Sequence, residues 1–433
     1  MRVICCAAAI ALAAAALLPA QGQSQPPFTF TKADLTLLDE CSALDQQFEK
    51  RALIYHDAAL EEHLAKLAAP LLPGAPLKNV QWKIRILRDP AANAFGFPNG
   101  SIYISTGLLA RAENDGQLCG RLAQEIAHVE ARHPYLLERS LRKKVVATEL
   151  AEVGGAFFGF GAFVVAAGVW PDQTAILVAV AGYPRSYEDE ADETAVRRLR
   201  QAGTDPVQLI RLDVILGDKL EPEPVSFWKD PPTMEKRIAY LNALTGMGGD
   251  PGPGTEGGYL DRMRAAILQD IQLAMDTRHF RSAVAAAQRL ALAHPDDAVA
   301  VYWLGESYRA LGPRQERLTA RELTPEGMRA AYRQVAHTTE QEEAARLAAT
   351  PDGKAALAAN QQKAEELFRK AAGIDSSLPP PYFGLGSLYE QQGKKQQAIE
   401  AYRKYVQLCA QPADRERAQR RVEGLMKAGG TSK

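Results

Sequence analysis

Cysteine is scarce: five residues in a chain of 433, at spacings that fit no disulfide framework. An excess of charge of either sign is also missing. Fifty-one basic residues against 52 acidic ones leave a net charge of -1, which excludes a general nucleic-acid binder with its net basic surface. Apolar residues are not lacking, and 46% hydrophobic with 24% charged is the composition of a folded rather than a disordered chain. A chain of 433 residues exceeds one ordinary core, so two or three domains are expected.

Long uncharged runs are few, and the first lies at the start. Met1–Ala20 carries one cation, Arg2, then an apolar run from Val3 to Leu18 and small residues before polar Gln21-Gly22-Gln23. That order is the pattern of a cleaved secretory signal, so 1–20 is expected to direct export. Cleavage would remove Cys5 and Cys6 and leave Cys41, Cys119 and Cys409, an odd set best read as buried thiols.

Residues 28–72 carry Leu35, Leu37, Leu38, Cys41, Leu44 and Phe48 at helical spacing. Val80–Leu87 and Ser101–Ser105 read as strands, and Pro98-Asn99-Gly100 between them is a hairpin turn signal. A long helix is expected from Asp115 to about Lys144 and another from about Tyr187 to Arg200. Gly246–Gly258, with seven glycines and two prolines, has no periodicity and reads as a linker. Beyond it the chain is almost wholly helical. Trp303-Leu304-Gly305-Glu306-Ser307-Tyr308 and Phe383-Gly384-Leu385-Gly386-Ser387-Leu388-Tyr389 share a Leu-Gly step followed by tyrosine, which looks like tetratricopeptide repeats interrupted by the polar stretch 316–362.

The chemistry concentrates in Gln124-Glu125-Ile126-Ala127-His128. In zinc peptidases of the His-Glu-x-x-His type, histidines at i and i+4 bind the metal and the glutamate polarises the attacking water. At about 100° per residue, Gln124, His128 and Glu125 lie at about 0°, 40° and 100° on one helix face. Glu188 could supply a carboxylate ligand, and Asp192, one turn later, could orient a histidine.

Asn93-Ala94-Phe95, Gly100–Leu109, Gln124–His133 and Ser186 with Glu188–Asp192 occur in order and resemble the HtpX/BepA-like zinc metalloendopeptidases, peptidase family M48. Pro231-Pro232-Thr233 with Arg237-Ile238 looks like that family's later segment, so the resemblance runs from about Leu35 to Leu244. It implies an α+β fold: a mainly helical zincin-like domain with a small β-sheet over 28–245, then an all-α repeat domain over 259–428. It also implies Zn as cofactor, Glu125 as general base, His128 and Glu188 as ligands, and Asp192 behind His128. With the repeats, the layout is similar to the periplasmic branch that handles outer-membrane protein assembly.

Two positions depart from the family pattern. Its first zinc histidine is Gln124 here, and its later histidine falls at Asp230. A neutral amide oxygen is a poor substitute for imidazole on a borderline-soft ion. Cys119 lies about 140° and His133 about 180° round a straight helix from Gln124, so neither is expected to replace it. Asp230 could, if its loop folds over the cleft.

Two readings stay open: an exported zinc endopeptidase with a weakened site, in which Gln124 or Asp230 helps hold the metal, or a pseudoprotease that binds unfolded or assembling envelope proteins without cutting. Either way the repeats would recruit a protein partner, and no nucleic acid is expected. The uncharged run Val153–Trp170 opens a region up to 182 that reads as a buried or membrane-touching hairpin. A single span there would put the two halves of the site on opposite sides of a bilayer. The mixed-sign cluster Arg415–Arg421 reads as a solvated helix face, and His279, His294 and His337 as structural or exposed.

Overall fold

The computed structural model describes residues 28–144, 183–222, 234–246 and 258–427. The expected signal at 1–20, the hairpin at 153–182, Asp230 and most of the linker lie outside the described residues.

The first domain is built around a three-stranded sheet. Helix α1 (Lys32–Lys50) starts at a capping box in which Thr31 and Asp34 satisfy each other's backbone N–H groups. It does not run on to residue 72 as the spacing predicts. The chain turns through Ala52 in the left-handed region and Ile54 bridges to Leu87 before α2 (Ala58–Ala68). Strands β1 (Lys83–Leu87), β2 (Ala94–Gly96) and β3 (Ser101–Ser105) form the order β1-β3-β2. The turn signal at Pro98-Asn99-Gly100 is a hairpin turn, with Gly100 at φ +95°, but it joins β3 to β2, a strand not expected from the sequence, and the expected strand β1 runs parallel to β3. The α1 side of the sheet is an aromatic core, where Tyr103 stacks on Phe95 at 5.0 Å and meets Phe48 edge-on at 5.2 Å.

Helix α3 (Thr106–Arg111) follows β3 directly, then α4 (Asp115–Glu130), α5 (His133–Lys144), α6 (Arg185–Gln201), α7 (Val207–Gly217) and α8 (Met234–Thr245). The single helix expected from 115 to 144 is thus two. Arg132 sits at φ +62° and turns the chain, and Pro134, in the first turn of α5, has no N–H to continue α4. α4 is nearly all buried because both neighbours come close. A Cβ on Gly120 would sit 2.9 Å from the Leu209 Cα of α7, and one on Gly96 would sit 2.8 Å from Val129.

The remaining helices stack in pairs. They are α9 (Tyr259–Asp276) with α10 (Phe280–Ala293), α11 (Ala298–Leu311) with α14 (Pro351–Ile374), and α15 (Pro380–Gln391) with α16 (Lys395–Leu408), then α17 (Pro412–Lys427). The polar interruption holds two short helices, α12 (Pro325–His337) and α13 (Glu340–Ala348). Gly305, Gly384 and Gly386 explain the repeated glycines: Phe368 presses on the first two and Tyr402 on the third, leaving no room for a side chain. One apolar cluster continues from α2 and α4 through α9 into the pairs, so the repeats share a core with the first domain. Among the described residues no helix is long and apolar enough to cross a membrane.

Candidate functional site

Helix α4 starts because Asn114 caps it, its side chain accepting the Gln117 N–H at 2.9 Å. It buries Leu118, Leu122, Ala123, Ile126, Ala127 and Val129, and with them four polar side chains, Gln117, Gln124, Glu125 and His128. Buried polar groups need partners, so their bonds define what this helix can do.

Gln124 is 1% exposed. Its Oε1 accepts from Arg121, one turn earlier on α4, and its Nε2 donates to Glu188 Oε2 at 2.9 Å. Arginine only donates and an ionised carboxylate only accepts, so the amide cannot be turned round without losing both bonds. Arg121 continues to Asp213 of α7 at 2.9 Å, and Arg237 of α8 reaches the same oxygen at 3.2 Å. Arg237 also grips Asp192 of α6 with two bonds, at 3.0 and 2.8 Å. Four helices are thereby tied in one chain of bonds: Glu188, Gln124, Arg121, Asp213, Arg237, Asp192.

His128 is also buried, with Nε2 3.7 Å from Glu188 Oε2 and Nδ1 2.9 Å from Nδ1 of His133. His133 was excluded by the straight-helix geometry; the turn at Arg132 carries it back beside His128. Its Nε2 faces Glu190 at 3.3 Å. Burial first, and the neighbouring His128 second, push its pKa down to about 4. A neutral His133 that donates from Nε2 to Glu190 must accept at Nδ1, so His128 carries a proton on Nδ1 and donates it to His133. The residue orienting His128 is therefore His133. Asp192, expected in that role, has its carboxylate taken by Arg237. Tyr183 stacks on His128 with ring centroids 4.0 Å apart, and Tyr187 on His133 at 4.5 Å.

The carboxylates separate electrically. Burial would raise Glu188, but the bond and charge of His128, then Arg237 and Arg121, bring it down to about 2. Burial dominates at Glu125, 6% exposed, and lifts it to about 6 against the pull of His128 and Arg121. At Asp192 burial raises the pKa and Arg237 opposes it. Arg237 is held well above its ordinary value: burial would lower it, but Asp213 and Asp192 outweigh that.

A zinc ion needs at least three protein donors converging at about 2.0–2.3 Å. His128 Nε2 and Glu188 Oε2 are placed for two of them. The third position belongs to Gln124, which turns N–H rather than oxygen towards Glu188. Two arginines also put fixed positive charge beside Glu188. His133 faces the other nitrogen of His128, and Asp230 lies outside the described residues. Among the described residues no three His, Cys, Asp or Glu side chains converge as a metal site. The donor set does not fit a zinc ion.

Arg121 and Asp213 were missed from the sequence. The spacing of Arg121, three residues before Gln124 and thus on the same face, was a usable signal. Asp213 and the stacking of Tyr183 on His128 had no local signal.

Residues 56–245 match peptidase family M48, and residues 379–412 match a tetratricopeptide repeat. A Vibrio cholerae protein described as a beta-barrel assembly-enhancing protease is 30% identical over 220 residues, 48% of this chain and 44% of that protein. The beta-barrel assembly-enhancing protease of Escherichia coli is 25% identical over 169 residues, 37% of this chain and 33% of that one. The mitochondrial metalloendopeptidase OMA1 of Schizosaccharomyces pombe is 29% identical over 79 residues, 18% and 23% of the two chains. The chain thus spans less than half the length of these relatives.

Proposed function

Because residues 56–245 form a domain of peptidase family M48 ahead of a tetratricopeptide repeat, we propose that this protein is an exported factor in envelope protein assembly and quality control that binds client chains without cutting them. One observation carries the reading: Gln124 gives its N–H to Glu188 while its oxygen is held by Arg121. The bond network does for these helices what a shared metal ion does in a peptidase, tying α4 to α6 with positive charge and hydrogen bonds. Hydrolysis needs a polarised water, and the side chains around Gln124 do not offer the three converging donors of the zinc ion that would polarise one.

The envelope role is supported by the relatives named for beta-barrel assembly, and the N-terminal apolar run supports export. In this reading the clients are extended or unfolded chains, and the stacked helix pairs recruit a protein partner, the use to which repeat arrays are generally put. Membrane contact through 153–182 belongs to the same proposal.

A second reading has its own observation. His128 Nε2 lies 3.7 Å from Glu188 Oε2, and Glu125 is buried one turn before His128 on the same helix, which supports a weak zinc peptidase as the alternative. The test is to incubate purified chain with zinc, remove excess, and measure metal content, casein cleavage and binding of casein. Retention of casein without cleavage, with trace zinc only, supports the proposal. Cleavage that disappears in Glu125→Gln overturns it.

A further inference from the structure

Far from this site, two carboxylates are sealed where the repeats join the first domain. Asp89, after β1, and Asp270, on α9, are each 1% exposed, and Thr106 at the start of α3 is fully buried between them. Thr106 Oγ1 lies 2.8 Å from Asp270 Oδ1 and 3.0 Å from the Asp89 carbonyl oxygen. It also accepts the Asp89 N–H at 3.2 Å. One hydroxyl has one proton to give to two acceptors. If it goes to the Asp89 carbonyl, Thr106 and Asp270 face each other oxygen to oxygen, and only a proton on Asp270 makes that contact a hydrogen bond. Asp89 uses Oδ1 to accept the Ala91 N–H at 3.0 Å, and its buried Oδ2 has no hydrogen-bond partner.

The charged groups on the surrounding elements are engaged elsewhere. On α3, Arg111 donates to the carbonyls of Ile215 and Asp218. Arg88, next to Asp89, lies over the Tyr55 ring. On α9 itself Arg262 pairs with Asp115, Arg264 with Asp297, and Asp261 with His294; Asp276 ends the helix. On α10 Arg281 pairs with Glu221, and Arg289 donates to the carbonyls of Ala110 and Ala112. On α11 Glu306 and Arg309 pair with each other. Among the described residues, the charge that acts on Asp270 is that of Asp89, and it has the same sign.

We propose that Asp270 keeps a proton through neutral pH and donates it to Thr106, making the seam between the repeats and the peptidase-family domain a proton-linked joint that loosens as the medium turns alkaline. Burial accords with this: it lifts Asp89 to about 7 and lifts Asp270 to about 8 even with the Thr106 hydroxyl turned towards it, which pulls the other way, and Asp89 adds to the rise at Asp270. The direction follows from linkage. An unfolded aspartate gives up its proton near about pH 3.9. The folded seam retains it, so stability falls as pH rises from about 4 to about 8 and levels above. The seam holds more than this contact. Tyr259 donates to the Leu109 carbonyl at 2.9 Å, and Glu221 accepts the Ser282 N–H at 3.0 Å. Loosening therefore means weaker docking, not separation.

Asp270→Asn keeps a donor in place of the carboxylic acid and cannot ionise. In the full chain the Tm of this variant minus that of the parent should grow by about 2 °C or more between pH 5 and pH 8, then level. Asp276→Asn, at the exposed end of the same helix, should leave the parent's pH profile unchanged. A difference between Asp270→Asn and the parent that is constant across this range overturns the proposal. Hydrogen exchange on the unmodified chain decides even if the variant fails to fold. Protection of 106–111 and 263–274, corrected for intrinsic exchange, should drop from pH 6 to pH 9 while that of α1 does not. Equal protection at both pH values contradicts the proposal.

Discussion

Gln124 donates its amide N–H to Glu188 at 2.9 Å, across the space that two helices of a metallopeptidase share through a metal ion. A neutral donor here leaves Glu188 an ionised acceptor, and the two arginines behind Gln124 balance the charge.

That balance is testable at Arg237. Its guanidinium bonds to Asp192 and Asp213, both fully buried. Arg237→Met leaves two sealed carboxylates short of their cation, and breaking a buried pair in this way costs about 3–5 kcal/mol. Urea denaturation should show a loss of that size. A loss below about 1 kcal/mol, the range of exposed pairs, would mean that the network is solvated.

Glu188 sets an acid limit. Its folded pKa of about 2 lies below the ordinary 4.5, so the stability it contributes is present above about pH 4.5 and is lost as pH falls towards about 2. Glu188→Gln should cost about 1–3 kcal/mol at pH 7, the penalty of removing a charged hydrogen-bond acceptor, and should flatten the acid limb. An acid limb of unchanged slope in the variant would assign acid sensitivity to other carboxylates.

Close packing of α4 on α7 gives a prediction without electrostatics. A methyl on Gly120 meets the Leu209 backbone at 2.9 Å, and backbone cannot move aside cheaply. Gly120→Ala should destabilise by about 1–3 kcal/mol despite better helix propensity. An unchanged denaturation midpoint would show that the helices are further apart.

A histidine placed at position 124, where the sequence resemblance expects one, separates the two obstacles to metal. Gln124→His supplies an imidazole but leaves Arg121 beside the site, now without its amide acceptor. Zinc retained per chain should rise in Gln124→His and rise further in Gln124→His with Arg121→Leu. No rise in either variant would remove Glu188 or His128 from the set of possible ligands.

Much of this was legible in the sequence, for reasons that differ by residue. The hairpin showed in Pro98-Asn99-Gly100 because a left-handed glycine leaves a local mark. The Leu-Gly…Tyr steps showed the repeats because only glycine fits against Phe368 and Tyr402. The end of α4 was misread. Its left-handed residue is Arg132, which carries no such mark, and Pro134 was the signal that went unused. That one misplacement put His133 on the wrong side of the helix. The partner of Asp192 was illegible for another reason: Arg237 lies 45 residues away on a separate helix, and only tertiary packing joins them.

The most direct test is the zinc content of the purified, zinc-equilibrated chain, measured by mass spectrometry of the metal alongside casein cleavage. The bond network around Gln124 predicts trace zinc per chain and intact casein. One firmly held zinc per chain, with cleavage abolished by Glu125→Gln, would contradict it.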